Sequence, residues 1–355
     1  MLTDKFRRTI TYLRISVTDR CNLKCRYCSS AAQNIDGNNT ENRGCSDGNR
    51  KNEILTFEEI ILICRAARDF FSIKNLRLTG GEPLLRRGIE TLVAKFSDDG
   101  FRVSMTTNGT LLTRETAAKL KKSGLSGINI SLDTLSPALY SRITGGADIQ
   151  DVLNGIDAAV ESGFTGKVKI NAVVDPNREG GSRPRPESGM KENVEEALKF
   201  LRWSSEKGLV VKFIEQMPFG EGRGKDVGDA FDFFEKFIAE KLSLVKSAAN
   251  LKNGMGPARY YTTPDGKTEV GFIAALSRPF CDMCNRLRLA ADGKLLPCLG
   301  HPDYVDLKQI LRGGKDWSTI KGEIAQALRQ AADMKPQNHA GFKRAGCVNM
   351  ISVGG

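Results

Sequence analysis

Cys21, Cys25 and Cys28 stand in the spacing C-x3-C-x2-C, and Cys281, Cys284 and Cys298 form a second, looser triplet. Thiolates this close can grip one soft-metal centre, and iron–sulfur clusters are the usual occupants of such dense runs. A 4Fe–4S cluster has four irons, so three thiolates leave one iron without a protein ligand. An open coordination position separates a catalytic metal site from a closed structural one. The first triplet should therefore do chemistry. A closed zinc site wants a fourth ligand, and no histidine or further cysteine lies near Cys21–Cys28. Zinc is the bland alternative at the second triplet, where His301 has the spacing of a fourth ligand, although zinc ribbons end in a second cysteine pair.

Other residues suit an anionic ligand. Arg286 and Arg288 alternate just beyond Cys284, so both project from one face if this is a strand. Their guanidinium forks suit phosphate and purine edges, with a solvated strand face as the alternative. The net charge of +11 also favours anionic partners. The basic residues are spread along the chain, and two tryptophans and six tyrosines offer few stacking platforms, which weighs against nucleic acid. With only two histidines, His301 and His339, histidine acid–base catalysis is a poor fit. No run approaches the roughly 18 apolar residues that span a bilayer, and the N-terminus has no apolar leader core. Nine cysteines, an odd number, suit free thiols in a reducing compartment, with the cytoplasm as the expected location. Cys45, Cys64 and Cys347 stand alone, and Cys64 reads as a small buried hydrophobe.

These residues must be positioned by alternating β and α elements. Predicted strands are Leu13–Val17, Asn75–Thr79, Arg102–Thr107, Gly127–Leu132, Val168–Val174 and Val210–Ile214. Thr56 and Glu59 form a capping box that opens an apolar helical pattern reaching Phe71. Thr113–Ser123, Asp151–Ser162 and Lys191–Ser205 read as further crossover helices. Six βα units imply a parallel sheet with ligands at the carboxyl ends of its strands. Six rather than eight predicts a partial, TIM-like (βα)6 barrel within an α/β fold, open on one side. Asn34–Asn52 and Pro176–Gly189 read as polar surface loops, and Pro218–Asp229 as a linker into a Phe231–Leu242 helix. Short strands near Glu269–Ala275 and Arg286–Ala290 surround the second triplet, followed by a helical tail. The expected organisation is a barrel over 1–230 and an α+β extension over 231–355.

The run from Arg14 through Cys28 resembles the opening of radical S-adenosylmethionine (SAM) enzymes. Within them the chain resembles the GTP 3′,8-cyclase family of molybdenum cofactor biosynthesis, over nearly its whole length. Gly80-Gly81-Glu82-Pro83, Thr106-Thr107-Asn108-Gly109, the second triplet and the terminal Gly354-Gly355 match in order. The resemblance implies two 4Fe–4S clusters, one on each triplet, the first holding SAM and the second meeting the guanine of GTP. It implies SAM contacts at Tyr27, Gly81, Glu82, Ser131 and Met217, although Met217 reads equally well as core. GTP contacts are implied at Arg14, Arg77, Thr106, Lys169 and the Arg286-Leu287-Arg288 stretch. Arg286, Arg288 and the twin glycine Gly354-Gly355 carry the catalytic expectation.

The implied reaction removes the 3′ hydrogen of GTP and closes a bond from that carbon to carbon 8 of guanine. The product, (8S)-3′,8-cyclo-7,8-dihydroguanosine 5′-triphosphate, would pass to a cyclic pyranopterin monophosphate synthase. A flavodoxin-like or similar electron donor and a homodimer are also implied, with no role for nucleic acid or membrane. Two departures stand out: Ser29-Ser30 replaces the family's Met-Pro after the third cysteine, and Lys212 lies where arginine is common. Lys cannot make the bidentate contact of Arg, which keeps Lys212 off the firm contact set. The alternatives are another two-cluster radical SAM enzyme, such as a peptide maturase, or a non-catalytic iron–sulfur protein.

Overall fold

A computed structural model describes residues 1–28, 54–164, 166, 168–175, 188–217, 230–247 and 256–338. The Asn34–Asn52 loop, the Pro218–Asp229 linker, nearly all of the Pro176–Gly189 loop and the Gly354-Gly355 end lie outside the described residues.

A small hairpin, β1 (Leu2–Thr3) and β2 (Thr9–Ile10), opens the chain. Six strands follow: β3 (Tyr12–Ser16), β4 (Asn75–Thr79), β5 (Arg102–Thr107), β6 (Gly127–Ser131), β7 (Val168–Val174) and β8 (Val210–Glu215). They pair in sequence order and all run parallel. Each matches its sequence expectation to within one residue at either end, because most of their apolar residues are buried, in places by strict alternation. In β7, for example, Val168, Ile170, Ala172 and Val174 are buried while Lys169, Asn171 and Val173 are only partly so.

The crossovers are helical. Helix α1 (Phe57–Phe71) begins at the expected capping box: Glu59 N–H donates to Thr56 Oγ1 at 3.2 Å, and Thr56 N–H donates to Glu59 Oε2 at 2.7 Å. It buries Ile60, Ile63, Cys64, Ala66 and Ala67 at helical spacing against the sheet. Two helices escaped the sequence reading, α2 (Ile89–Asp98) and α4 (Pro137–Thr144); α3 (Arg114–Lys122), α5 (Ile149–Ala159), α6 (Ser188–Glu206) and α7 (Ala230–Lys241) match expected ones. Both missed helices are short, and α2 has a glycine N-cap without a side-chain cap bond, so it lacks a start signal.

The C-terminal segment does not stand apart from this sheet. It adds β9 (Val245–Lys246), β10 (Arg259–Thr262) and β11 (Glu269–Ile273) beyond β8. At the other edge it adds β12 (Arg286–Leu289), β13 (Lys294–Leu296) and β14 (Val305–Asp306) beyond β3. Strand β11 runs parallel to β8 and β12 parallel to β3, so the parallel run extends at both flanks. A 17-residue helix, Trp317–Asp333, packs back on α1. Among the described residues no helix is long and apolar enough to cross a membrane.

Candidate active site between two cysteine triplets

The first triplet sits on the loop that leaves the carboxyl end of β3. Two neighbouring loops hold it. Gly81 N–H donates to Thr18 O at 2.8 Å and Glu82 N–H to Arg20 O at 2.7 Å. The glycine pair makes this approach possible: a Cβ on Gly81 would lie 2.1 Å from Arg20 O, and one on Gly80, at φ +148°, would lie 2.5 Å from Thr18 O. The pair was expected to admit a ligand; here it admits the cysteine loop itself. Asn108 reaches across as well, its Nδ2 3.9 Å from Cys21 Sγ and 2.9 Å from Asn22 Oδ1. On the far side Lys24 and Arg26 N–H groups donate to Thr144 O and Ile143 O at the end of α4.

Glu82 is fully buried and links these loops. It accepts from Leu84 N–H at 3.0 Å, Thr107 Oγ1 at 2.7 Å and Asn108 N–H at 2.7 Å. Burial nevertheless lifts its carboxyl to about 7. Burial likewise raises the thiols, with Asp133 and the sister cysteines adding repulsion at Cys25, and Cys28 is pushed up to about 12. Three thiolates held so closely are unfavourable unless a metal neutralises them, which is the chemistry expected of a cluster-binding loop.

The second triplet lies at the other end of the sheet. Cys281 and Cys284 form a turn, closed by Cys284 N–H to Cys281 O at 3.1 Å, that feeds the amino end of β12, and Cys298 follows β13. Since β12 and β3 run parallel with Arg286 opposite Tyr12, the triplets are separated by roughly the length of β3, about 16 Å for a five-residue strand. Burial raises the Cys284 thiol, but Lys335 and Arg286 beside it outweigh that and hold it at about 7. Among the described residues no three His, Cys, Asp or Glu side chains converge on a single metal-ion position. The ligands of a cluster bind different irons and have no need to do so. His301 turns to its own loop, its Nδ1 accepting Asp303 N–H at 3.4 Å.

Between the triplets lies a cavity of about 460 Å³, within the usual range for small-molecule sites. It is lined by alternate residues of the parallel strands, which therefore share one concave face. Its walls are cationic: Arg14, Arg77, Lys169, Lys212, Arg286 and Arg288 all reach it, and so do Cys281, Cys284 and Cys298. Burial, with Arg288 and Arg77 adding repulsion, drives the Arg14 guanidinium well below its ordinary value. Lys212 is lowered in the same way by burial and by Arg77, Lys169 and Arg14. Arg288, buried and facing Arg286, is held at about 10. Concentrated, desolvated positive charge of this kind is costly unless an anion balances it.

Most expected contact residues are brought together here. Tyr27, Thr106, Ser131 and Met217 also line the cavity, and Tyr27 OH donates to Asp133 Oδ2 at 2.7 Å. Leu287 does not reach it: strand alternation turns its side chain into the core, where it is fully buried, so only its backbone remains available. Gly354 and Gly355 lie outside the described residues. Sequence reading missed Tyr12, Asn129 and Tyr260, and withheld Lys212. Asn129, with its amide oxygen turned to the cations, accepts from Lys212 Nζ at 2.8 Å and from Arg77. Tyr12 receives a hydrogen bond from Arg77 Nε, and Tyr260 OH lies 3.1 Å from Lys169 Nζ. Alternation flags Asn129 and Lys212 as facing one way within their strands, but only the curvature of the sheet makes them neighbours.

Known proteins resemble the chain on two levels. Residues 15–180 match the radical SAM superfamily and residues 209–341 match the Molybdenum Cofactor Synthesis C family. The GTP 3′,8-cyclase of Marinobacter nauticus is 37% identical over 344 residues, 95% of this chain and 93% of the relative. GTP 3′,8-cyclase 1 of Pseudomonas aeruginosa is 38% identical over 352 residues, 97% of this chain and 95% of the relative. Among solved structures, Streptococcus suis SuiB bound to the precursor peptide SuiA superposes with a TM-score of 0.59 at 15% identity, covering 91% of this chain and 67% of that one. That likeness shows a shared fold.

Proposed function

The chain belongs to the GTP 3′,8-cyclase family of radical SAM enzymes, which take the first step of molybdenum cofactor biosynthesis, and from that premise we propose how its own residues divide the work. Cys21, Cys25 and Cys28 would hold a 4Fe–4S cluster with SAM bound beside it. Cys281, Cys284 and Cys298 hold a second one. When bound, the first cluster and SAM would supply the radical chemistry that moves the 3′ hydrogen of GTP to 5′-deoxyadenosine and joins that carbon to carbon 8 of guanine, with one electron from the donor and one proton completing the product. The protein's task is to position two reactants and keep water out.

The residues suit those tasks. Gly80 and Gly81 seat the cysteine loop, and Glu82 and Asn108 hold it from the neighbouring strand end. Tyr27, Ser131 and Met217 shape the SAM end of the cavity. Arg14, Arg77, Lys169 and Lys212 take the triphosphate, whose charge balances the buried cations. Thr106 steadies Arg77, its Oγ1 3.5 Å from Arg77 Nη1. Arg286 and Arg288 stand next to the second triplet and bind the nucleotide there. Gly354 and Gly355 complete the site from the C-terminal tail. The curved parallel strands form a partial barrel over 1–230, with 231–355 supplying the second-cluster extension. A low-potential donor of flavodoxin type, a downstream pyranopterin monophosphate synthase and a homodimer complete the picture.

One observation carries this reading: a cationic cavity lies between two three-cysteine sites at opposite ends of adjacent parallel strands. The reduced protein, mixed with SAM and GTP deuterated at the 3′ carbon, should transfer label to 5′-deoxyadenosine. Absence of transfer would defeat the assignment. Cys284→Ala should abolish cyclisation and leave the first cluster assembled, and surviving GTP turnover would remove the role given to the second site.

A further inference from the structure

Lys335, two residues beyond the helix Trp317–Asp333, is only 2% exposed. Its ammonium group has three protons and three acceptors around it. Nζ lies 2.8 Å from Arg286 O, 2.8 Å from Pro297 O and 3.5 Å from Cys284 Sγ. Arg286 follows Cys284 by two residues and Pro297 immediately precedes Cys298, so one side chain ties together both segments that carry the second triplet. Arg8 anchors the third member from the other side, its Nη1 donating to Cys281 O at 2.8 Å and its Nη2 to Pro336 O at 2.8 Å.

Arg8 has a carboxylate partner, Asp4, at 2.6 Å. Among the described residues no carboxylate is paired with Lys335. A buried ammonium held only by carbonyl oxygens and a sulfur needs negative charge nearby, and three thiolates on a cluster provide it. Hydrogen bonds and charge at cluster sulfurs are also what set reduction potential.

We propose that Lys335 is a positioning residue for the second cluster: it fixes Cys284 relative to Cys298 and raises the cluster's reduction potential through its charge and its hydrogen bond to Cys284 Sγ. The proposal rests on the second-cluster reading given above. The test uses full-length protein reconstituted anaerobically, with iron counted and each cluster titrated by its electron paramagnetic resonance signal. Lys335→Met keeps the length and apolar stem and removes the charge and donors. At a fixed potential the ratio of reduced to oxidised second cluster should fall about tenfold, or about 59 mV for one electron, while the first cluster stays put. Lys335→Arg should recover most of that loss, whereas a residue needed only for packing would favour Met over Arg. Should the Met variant fail to hold the second cluster, Lys335→Gln, which keeps an amide donor, supplies the potential instead. An unchanged ratio in a variant holding about eight irons overturns the role of Lys335 and leaves the second cluster standing. About four irons in the unaltered protein removes the second cluster, and this proposal with it.

Discussion

Replacing Arg288 by methionine should stabilise the apo-protein and weaken GTP binding, two effects of opposite sign from one buried charge. Arg288 is 8% exposed, and burial beside Arg286 pulls its guanidinium down to about 10, well below an ordinary arginine. At about 1.4 kcal/mol per tenfold, that fall corresponds to a few kcal/mol at most, because water entering the cavity screens the charge. A base with a depressed folded pKa is charged in both states at pH 7, so the whole deficit is present there and is relieved only as pH rises past about 10. Methionine fills similar space without the charge, so scanning calorimetry without nucleotide should record a Tm higher by a few degrees, at roughly 2 °C per kcal/mol. With GTP the same change removes a buried, charged hydrogen-bond donor from the nucleotide, typically about 1.5–3 kcal/mol. Titration calorimetry should therefore report a Kd weakened by about tenfold or more. A variant that melts several degrees lower and binds GTP unchanged would refute the reasoning, because Arg288 would then be a structural strand residue.

Three further outcomes follow from local geometry. Gly81→Ala places a methyl group 2.1 Å from Arg20 O, so the cysteine loop must move; reconstituted protein should lose the irons of the first cluster and retain those of the second, and a full iron complement would contradict this. Burial holds Glu82 protonated up to about 7 against an ordinary 4.5, so its contribution to apo-protein stability is full below 4.5 and is lost as pH rises to about 7. Urea midpoints at pH 5 and pH 8 should therefore differ less in Glu82→Gln than in the unaltered protein, and an equal difference in both would exclude Glu82 as the source. Thr56→Ala removes half of the capping box at the start of α1 and should lower stability by about 1 kcal/mol in denaturant titration, with iron content unaffected.

Chemistry was legible in the sequence wherever ligands lie close along the chain. The spacing of Cys21, Cys25 and Cys28 announces a three-thiolate site because a loop of eight residues cannot separate its own sulfurs widely. Strand positions were legible too, since side chains alternate between the two faces of a strand whatever surrounds it. Short helices without cap signals, such as α2, were not.

Tertiary structure decided the rest. That Arg14, Asn129, Lys212 and Arg288 meet in one cavity depends on the order and curvature of strands drawn from across the chain. The segment expected as an extension contributes strands to both edges of the same sheet, and β12 lies beside β3 although about 270 residues separate them. That pairing sets the second triplet at the opposite end of the cavity from the first. Lys335 illustrates the limit most clearly. In the sequence it is one lysine before a proline; its role at the cysteines arises only because a helix returns it to carbonyls 38 and 49 residues upstream. Local spacing is fixed by covalent geometry, whereas long-range neighbours are fixed by which surfaces can be buried together, and that depends on the whole chain at once.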